Sequence, residues 1–289
     1  VPLNFITYLP SKFYLNTDDI YNGPWLKGGN NIGALSFNNR RISHREVIYS
    51  QKPADMQLYP RNKENLAMVK IKGEIFTSGF DKGVCKIYKD HELISTIEKS
   101  LSYNSKKANF EFSYPIEAGL WEYRFETGFL KDGEYFNDET FDNIVCGDVF
   151  LINGQSNSHP SRKEAIYKNE FCRSFGKNTN YSDYHPADTL WGLASGDVSQ
   201  EYHVSAWGIR LMKKLVEDHK IPLCIINGGS GGSSIEYNLP KEDGLISMNS
   251  TYGRLLYRAK KAGVVNNVKA LIWHQGESNS NDATYLSYA

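Results

Sequence analysis

The stretch VFLINGQSNSHP, Val149–Pro160, decides the fold of the second half of the chain. Its first four residues, Val149 to Ile152, form a short continuous apolar run, which is typical of a strand buried on both faces. The run ends in small polar residues, and Gly154 permits a sharp turn that would lift Ser156 clear of the sheet. A serine in this place is either an ordinary turn residue or a nucleophile at the mouth of a site.

The segments that follow predict a parallel sheet with crossover helices. The predicted further strands are Ile221–Ile226 and Ala270–Trp273, and the predicted helices are residues 204–218 and 250–262. The first helix has apolar residues at helical spacing, and the second has Ser250 near its start and Gly263 just past its end. Strands that alternate with helices indicate an α/β domain.

The first half of the chain has a period of two. Apolar and polar side chains alternate in MVKIKGEIF (68–76), ANFEFSYPIEAG (108–119) and LWEYRFETG (120–128). This alternation is typical of antiparallel strands with one buried face. We therefore predict a loop-rich N-terminal segment over residues 1–44, a β-sandwich-like domain over 45–145 and an α/β domain over 146–289.

Composition excludes several function classes. Lys plus Arg and Asp plus Glu both total 33, so no basic surface for nucleic acid is expected. No apolar run is long enough to span a membrane, and the N-terminus lacks the features of a signal peptide. The four scattered cysteines contain no Cys-x-x-Cys pair, and we expect neither a metal nor an organic cofactor. The 13% of aromatic residues suits either sugar stacking or aromatic-rich β structure.

Each predicted strand of the second half ends in small polar residues. The three polar segments are Gly154-Gln-Ser-Asn, Asn227-Gly-Gly-Ser-Gly-Gly-Ser-Ser and His274-Gln-Gly-Glu-Ser-Asn. Because ligands bind beyond the carboxyl ends of strands in parallel sheets, we expect the three loops to meet at one edge. Backbone N–H groups after Ser156 and in the glycine loop, with the amide of Gln275, could form an oxyanion hole. Each loop alone is commonly a plain turn; all three in order favour a site.

The motifs GQSN, GGSSI and WHQGESN, in this order, resemble the SGNH-hydrolase superfamily, and within it the sialate O-acetylesterase and carbohydrate acetylesterase group. The resemblance covers about residues 144–289. The segment DMQLYPRNKENLAMVKIKG also looks like the β domain that precedes the hydrolase domain in many of these esterases. The resemblance implies an SGNH (flavodoxin-like) three-layer domain with a parallel sheet, preceded by an antiparallel β-sandwich-like domain.

The resemblance also implies roles for individual residues. Ser156 matches the nucleophile and contributes its own N–H to the oxyanion hole, either Gly231 or Gly232 matches the second donor, and Gln275 matches the third. The implied supporting residues are Gln155, Asn157, Glu277 and Asn279, and His274 is implied to line the pocket.

A serine nucleophile needs a general base, usually a histidine held by a carboxylate. The family supplies both from an Asp-x-x-His element, and none follows Asn279 in this chain. We therefore expect the chain to be a fragment, with the base on an absent C-terminal segment or on a second chain. Of the local histidines, His159 and His274 are weak candidates for the base, and His185 and His203 belong to a predicted lid or substrate loop.

These observations predict a serine esterase that removes O-acetyl groups from sialic acid or an acetylated polysaccharide through an acetyl-serine intermediate. The substrate class that the resemblance implies predicts a secreted or periplasmic protein. The alternative is a carbohydrate-binding or adhesion protein whose hydrolase-like domain is inactive. A nucleotide-binding α/β domain is disfavoured, since the spacing of a phosphate-binding loop is absent.

Overall fold

The structure, a computed structural model, describes residues 46–160, 166–177, 186–240 and 246–280. The predicted N-terminal segment 1–44 and His185 therefore lie outside the described residues. The strands are β1 (Val47–Gln51), β2 (Leu58–Pro60), β3 (Leu66–Ile75), β4 (Lys82–Lys89), β5 (Glu92–Ser100), β6 (Tyr103–Asn104), β7 (Lys107–Glu117), β8 (Tyr123–Lys131), β9 (Glu134–Gly154), β10 (Cys172–Phe175), β11 (Trp191–Leu193), β12 (Leu223–Asn227) and β13 (Val268–His274). The helices are α1 (Ala206–His219) and α2 (Thr251–Lys261).

The β-rich half consists of two antiparallel layers around one core. One sheet has the order β1-β3-β7-β6, and the facing layer contains β5, β4, β8 and the first part of β9. Val69 and Phe112 of the first sheet pack in one cluster with Phe125 and Phe129 of β8. The alternation predicted from the sequence is confirmed, because side chains at every second position of β3 and β7 are buried. Trp121 is an exception, since it lies before β8 and packs at the edge of the core.

Strand β9 is 21 residues long and belongs to both halves of the chain. Its first part pairs antiparallel with β8, and its last residues pair in parallel with β12 and β13. The result is one mixed sheet of nine strands, in which β11 is antiparallel to β10. The sequence predicts a parallel sheet for the second half of the chain, and β10, β12, β9 and β13 do pair in parallel. The sheet as a whole is mixed, because β9 continues without a turn from its antiparallel partner to its parallel ones. The predicted boundary between residues 145 and 146 falls inside β9, and the domain limits stay a prediction.

The two helices pack on opposite faces of the parallel part of the sheet. Leu223 and Ile225 of β12 share a buried cluster with residues of α1. The intervening side chains, Cys224 and Ile226, share a different cluster with residues of α2. Alternate residues of a strand point to opposite faces, so β12 is covered on both sides. Helix, sheet and helix form three layers here, and the assignment of this arrangement to the SGNH layout remains a prediction.

Serine caps place the starts of both helices. The side chain of Ser205 accepts a hydrogen bond from the N–H of Gly208 at 3.2 Å, and that of Ser250 accepts one from Gly253 at 3.0 Å. Gly263, just past the end of α2, has a φ of 73°. Both helices predicted from the sequence are confirmed, each shifted by one or two residues. Among the described residues, neither helix is long and apolar enough to cross a membrane.

Candidate functional site

The three polar loops meet at one edge of the sheet, as the sequence predicts. We call residues 154–160 loop 1, residues 227–234 loop 2 and residues 274–280 loop 3. Strands β12 and β13 flank β9 in parallel, so that Asn227 lies opposite Ile152 and His274 lies opposite Gly154. The carboxyl ends of the three strands therefore deliver their loops to the same place.

Loop 1 turns at Gly154 and presents Ser156 to solvent. Gly154 has a φ of 137°, and a Cβ there would lie 2.0 Å from the carbonyl oxygen of His274, so only glycine fits. Ser156 is exposed and opens the short 3₁₀ helix Ser156–Ser158. Its hydroxyl thus stands beyond the end of the strand, in the position that a nucleophile requires. The role of nucleophile itself stays a prediction.

Gln155 joins loop 1 to loop 3. Its backbone N–H donates to the carbonyl of His274 at 3.0 Å. Its buried side-chain oxygen, Oε1, accepts from the N–H of Ser278 at 2.8 Å and from that of Gly276 at 3.4 Å. The predicted supporting residue therefore fixes the backbone of loop 3 directly beside Ser156.

Asn227 organises loop 2, and the sequence analysis did not single it out. The side chain is fully buried, and its Nδ2 donates to the carbonyls of Ser158 at 3.0 Å and Val204 at 3.1 Å. Its Oδ1 accepts from the N–H of Gly229 at 2.8 Å. An asparagine that ends a buried strand before two glycines was the available signal, because a buried amide must find partners in the adjacent turn.

Loop 2 is also held to the turn of loop 1. The carbonyl of Gly154 accepts from the N–H of Ser230 at 3.1 Å and from the hydroxyl of Ser233 at 3.2 Å. Gly231 and Gly232 lie between these two attachments and are exposed. Within the described part of the chain, neither glycine N–H donates a hydrogen bond. Both of the predicted alternatives for the second oxyanion donor are thus open to solvent.

Gln275 connects loop 2 to loop 3 in this structure. Its Nε2 donates to the carbonyl of Ser233 at 3.3 Å and to Oδ1 of Asn279 at 2.6 Å. The same Oδ1 accepts from the N–H of Ile235 at 3.0 Å, and the predicted supporting role of Asn279 stays a prediction. The amide of Gln275 points at these acceptors, and a role as third oxyanion donor requires the side chain to turn.

Three predicted site residues form a surface cluster beside Ser156. The amide of Asn157 donates to Oε1 of Glu277, and Nε2 of His274 lies 3.9 Å from the same oxygen. The pKa of Glu277 is lowered by a backbone N–H, by Asn157 and by His274. Asn157 and His274 line an open cavity of about 500 Å³ together with Trp207 and Trp273. His274 thus lies at the wall of a cavity, and its role in lining the substrate pocket stays a prediction.

A family model matches the segment of the chain that carries these three loops. Residues 146–289 match the family described as carbohydrate esterase, sialic acid-specific acetylesterase. The second half of the chain belongs to this family. No curated protein matches the sequence of the chain.

Similar solved structures include a carbohydrate acetylesterase from Xanthomonas citri, with 19% sequence identity and a TM-score of 0.49. The match covers 82% of this chain and 53% of that one, so the chain spans about half the length of that acetylesterase. A protein from Arabidopsis thaliana is similar at 15% identity and a TM-score of 0.33, over 48% of this chain and 61% of that one.

Two histidines of the acetylesterase-family segment, His159 and His203, are largely buried near loop 1. Burial lowers the pKa of His159, and both of its ring nitrogens are buried without a hydrogen-bond partner in the described part of the chain. His203 packs near it, with ring centroids 6.5 Å apart. Burial, Arg258 and His159 lower the pKa of His203 to about 4. Burial therefore disfavours the protonated form of both imidazoles.

The general base of the acetylesterase-family site is not identified among these residues. Over residues 46–160, 166–177, 186–240 and 246–280, no hydrogen bond joins the hydroxyl of Ser156 to a histidine. The same residues contain no group of three His, Cys, Asp or Glu side chains placed to hold a metal ion. Nothing in the structure or the comparisons supports a second chain as the source of the base, and its location stays a prediction.

Proposed function

We propose that the chain is a serine esterase that removes O-acetyl groups from a carbohydrate. The observation that carries the proposal is the exposed position of Ser156 on a turn that requires a glycine at position 154. Loops 2 and 3 are both hydrogen-bonded to this turn. The family of residues 146–289 supports the same reaction class. The sugar in this proposal is a sialic acid or a unit of an acetylated polysaccharide, and from that substrate class we propose a secreted or periplasmic protein.

The reaction that this geometry suits is a double displacement. The oxygen of Ser156 gives its proton to a base and bonds to the carbonyl carbon of the acetyl group, which forms a tetrahedral oxyanion. We assign the N–H of Ser156 and a glycine N–H of loop 2 as the donors to that oxyanion. The sugar hydroxyl then leaves with the proton, and water hydrolyses the acetyl-serine. We assign the base to residues outside those that the structure describes.

Active-site labelling tests the nucleophile. We expect a fluorophosphonate probe to label the protein, and Ser156→Ala to abolish both labelling and acetate release from acetylated sugars. Ser113→Ala, an exposed serine of β7 in the β-rich half, is the matched control and should retain both. Labelling that persists in Ser156→Ala would assign the nucleophile to another residue.

The alternative is a carbohydrate-binding module with an inactive site. Two observations favour it: the amide of Gln275 is engaged with Ser233 and Asn279, and no histidine among the described residues contacts the hydroxyl of Ser156. Acetate release and sugar binding separate the two functions. Sugar binding without acetate release and without labelling, in the longest folded form of the protein, supports the binding module.

A further inference from the structure

The open cavity of about 500 Å³ that Asn157 and His274 line adjoins the turn that carries Ser156. The removal of an acetyl group explains neither the size of this cavity nor its composition. Its other lining residues are apolar or aromatic: Pro160, Trp207, Ile272 and Trp273. We call this space the apolar cavity.

The walls of the apolar cavity are hydrogen-bonded to the backbone of loop 1. The indole N–H of Trp207, in the first turn of α1, donates to the carbonyl of Asn157 at 3.1 Å. The carbonyl of His274 accepts from the N–H of Gln155 at 3.0 Å. The residues before and after Ser156 are thus both attached to residues of the walls, so the cavity keeps a set place beside the proposed nucleophile.

A second open cavity, of about 370 Å³, lies on the other side of the same turn. Its lining is polar and includes loop 2, which follows β12, and Thr251 and Arg254 of α2. The apolar cavity is lined instead by the end of β13 and by Trp207 of α1. Strands β12 and β13 flank β9, and the two helices pack on opposite faces of the sheet. Loop 1 therefore has a polar cavity on one side and an apolar cavity on the other.

The two cavities match the two ends of an ester. The alcohol part of a sugar ester carries hydroxyl groups, which need hydrogen-bond partners when they leave water. The acyl part is apolar and gains free energy when it leaves water. An acetyl group offers only one methyl group, whereas cavities of roughly 300–1,000 Å³ hold ligands of the size of a drug molecule. The apolar cavity is therefore much larger than an acetyl group requires.

We propose that the apolar cavity binds the acyl part of the ester, and that the protein also hydrolyses esters of acyl groups larger than acetyl, above all those with an aromatic ring. The ring of Trp273 is 39% exposed, and an aromatic acyl group can pack against it. The inference rests on the proposed function, since Ser156 attacks these esters as well. Its oxygen bonds to the acyl carbon, the alcohol leaves with the proton that Ser156 gave up, and water then releases the carboxylic acid.

Binding to the Ser156→Ala protein tests the cavity without turnover. The probes are methyl acetate, methyl butanoate and methyl 3-phenylpropanoate, which share one alcohol and differ only in the acyl part. Binding is followed by the indole N–H signals in proton–nitrogen correlation spectra, assigned by single tryptophan-to-phenylalanine substitutions. We expect the signals of Trp207 and Trp273 to shift and those of Trp121 and Trp191 to stay. The phenylpropanoate should bind about tenfold more tightly than the acetate.

Variants assign the preference to the wall of the cavity. In the Ser156→Ala background, Trp273→Ala should remove the preference for the phenylpropanoate, because the cavity loses an aromatic wall. Leu271→Ala is the matched control and should keep it, since Leu271 is 57% exposed on the same strand and lies outside the cavity. If Trp273→Ala does not fold, as judged by circular dichroism, Trp273→Leu decides. This variant should bind the phenylpropanoate no better than the butanoate, and an undiminished preference overturns the proposal.

Hydrolysis by the protein with Ser156 intact tests the activity itself. We expect kcat/KM for the phenylpropanoate to exceed that for the acetate by about tenfold, because the binding energy of the acyl part is kept in the transition state. Titration of the released acid at constant pH measures both rates. Trp273→Ala should lose this selectivity, and Leu271→Ala should keep it.

The results separate this inference from the proposed esterase. Equal binding of the three esters by the Ser156→Ala protein overturns the acyl site, and so does hydrolysis of the acetate alone by the protein with Ser156 intact. Shifts of the Trp207 and Trp273 signals with methyl glucoside, and none with the esters, would assign the cavity to a sugar and overturn it too. A binding preference that depends on Trp273 supports the site, even if the protein with Ser156 intact releases no acid from any ester. That last result would overturn only the esterase.

Discussion

At the scale of single residues, Gln155 shows how one buried amide orders the site. Its Oε1 is the acceptor for two backbone N–H groups of loop 3. We predict that Gln155→Leu, which keeps the size of the side chain, lowers the free energy of unfolding by about 1–3 kcal/mol, because buried donors lose their acceptor. Urea unfolding measures the change. Gln200→Leu, at an exposed position, is the control, and an equal loss in both variants would contradict the role of the buried amide.

His203 makes the stability of the fold depend on pH. The pKa of its imidazole is lowered from 6.5 to about 4 by burial, by Arg258 and by His159, while Asp197 opposes the shift. Between these two pKa values the imidazole is protonated in the unfolded chain but not in the native state. The stability is therefore fully present above pH 6.5 and is lost as the pH falls towards 4. We predict that protonation linked to His203 lowers the free energy of unfolding by about 2 kcal/mol between about pH 7 and about pH 5.

The measurement is urea unfolding across this pH range in matched variants. His203→Gln should show a smaller loss of stability on acidification than the wild-type protein. His219→Gln, at the exposed end of α1, should lose as much stability as the wild type. If His203→Gln and the wild type follow the same pH dependence, another group carries the acid sensitivity, and His159 is then the next residue to replace.

The residues that the sequence predicts best are those whose role depends on the backbone. Gly154 and Ser156 follow from the end of an apolar run, because a strand that leaves a sheet needs a turn there. The sequence did not single out Asn227, and it predicted an oxyanion contact for Gln275 where the structure shows contacts to Ser233 and Asn279. An amide has many possible partners, and tertiary packing selects among them. Arg258, which is buried on α2, gave no signal at all, since a helical arginine is usually a solvated residue.

At the scale of elements, helix α1 begins at a residue with an unusual backbone. Ser205 is its N-cap, with φ 78° and ψ 165°, a region that favours glycine, and its hydroxyl accepts from the N–H of Gly208. We predict that Ser205→Ala lowers the free energy of unfolding by about 1 kcal/mol, because the cap is lost and the strain remains. Ser205→Gly also loses the cap but relieves the strain, so its loss should be smaller. Thermal or urea unfolding ranks the two variants, and the reverse order would contradict this account.

The helices and the buried strands of the second half could be predicted because each carries a local pattern. Caps and a period of 3.6 residues set the limits of α1 and α2, and short apolar runs set the positions of β12 and β13. Strand β9 could not be predicted as one element. Its first part, EYFNDETFDN, is mostly polar with a few aromatic residues, and its sequence becomes continuously apolar near Val149. The change of pattern suggests a boundary, although the chain continues straight.

At the scale of the whole molecule, a buried ion pair joins the two halves across β9. Arg173 of β10 is fully buried and donates to Glu122, just before β8, at 2.7 Å. It also donates to the carbonyl of Asn143 in β9 at 3.4 Å. A buried charge that loses its partner destabilises everything that packs around it. The pair therefore makes the stability of the parallel strands depend on the β-rich half.

The shared strand and this ion pair lead us to predict that the two halves unfold together. Hydrogen exchange followed by mass spectrometry in increasing denaturant should show peptides of β7 and β12 losing protection at the same concentration. Glu122→Gln should shift both sets of peptides to lower denaturant equally, because it leaves the guanidinium of Arg173 buried without its carboxylate. A shift confined to β12 would mean that the halves are independent domains that happen to share a strand. In that case the orientation of Ser156 would not depend on the β-rich half, and the role of that half would have to be sought in binding instead.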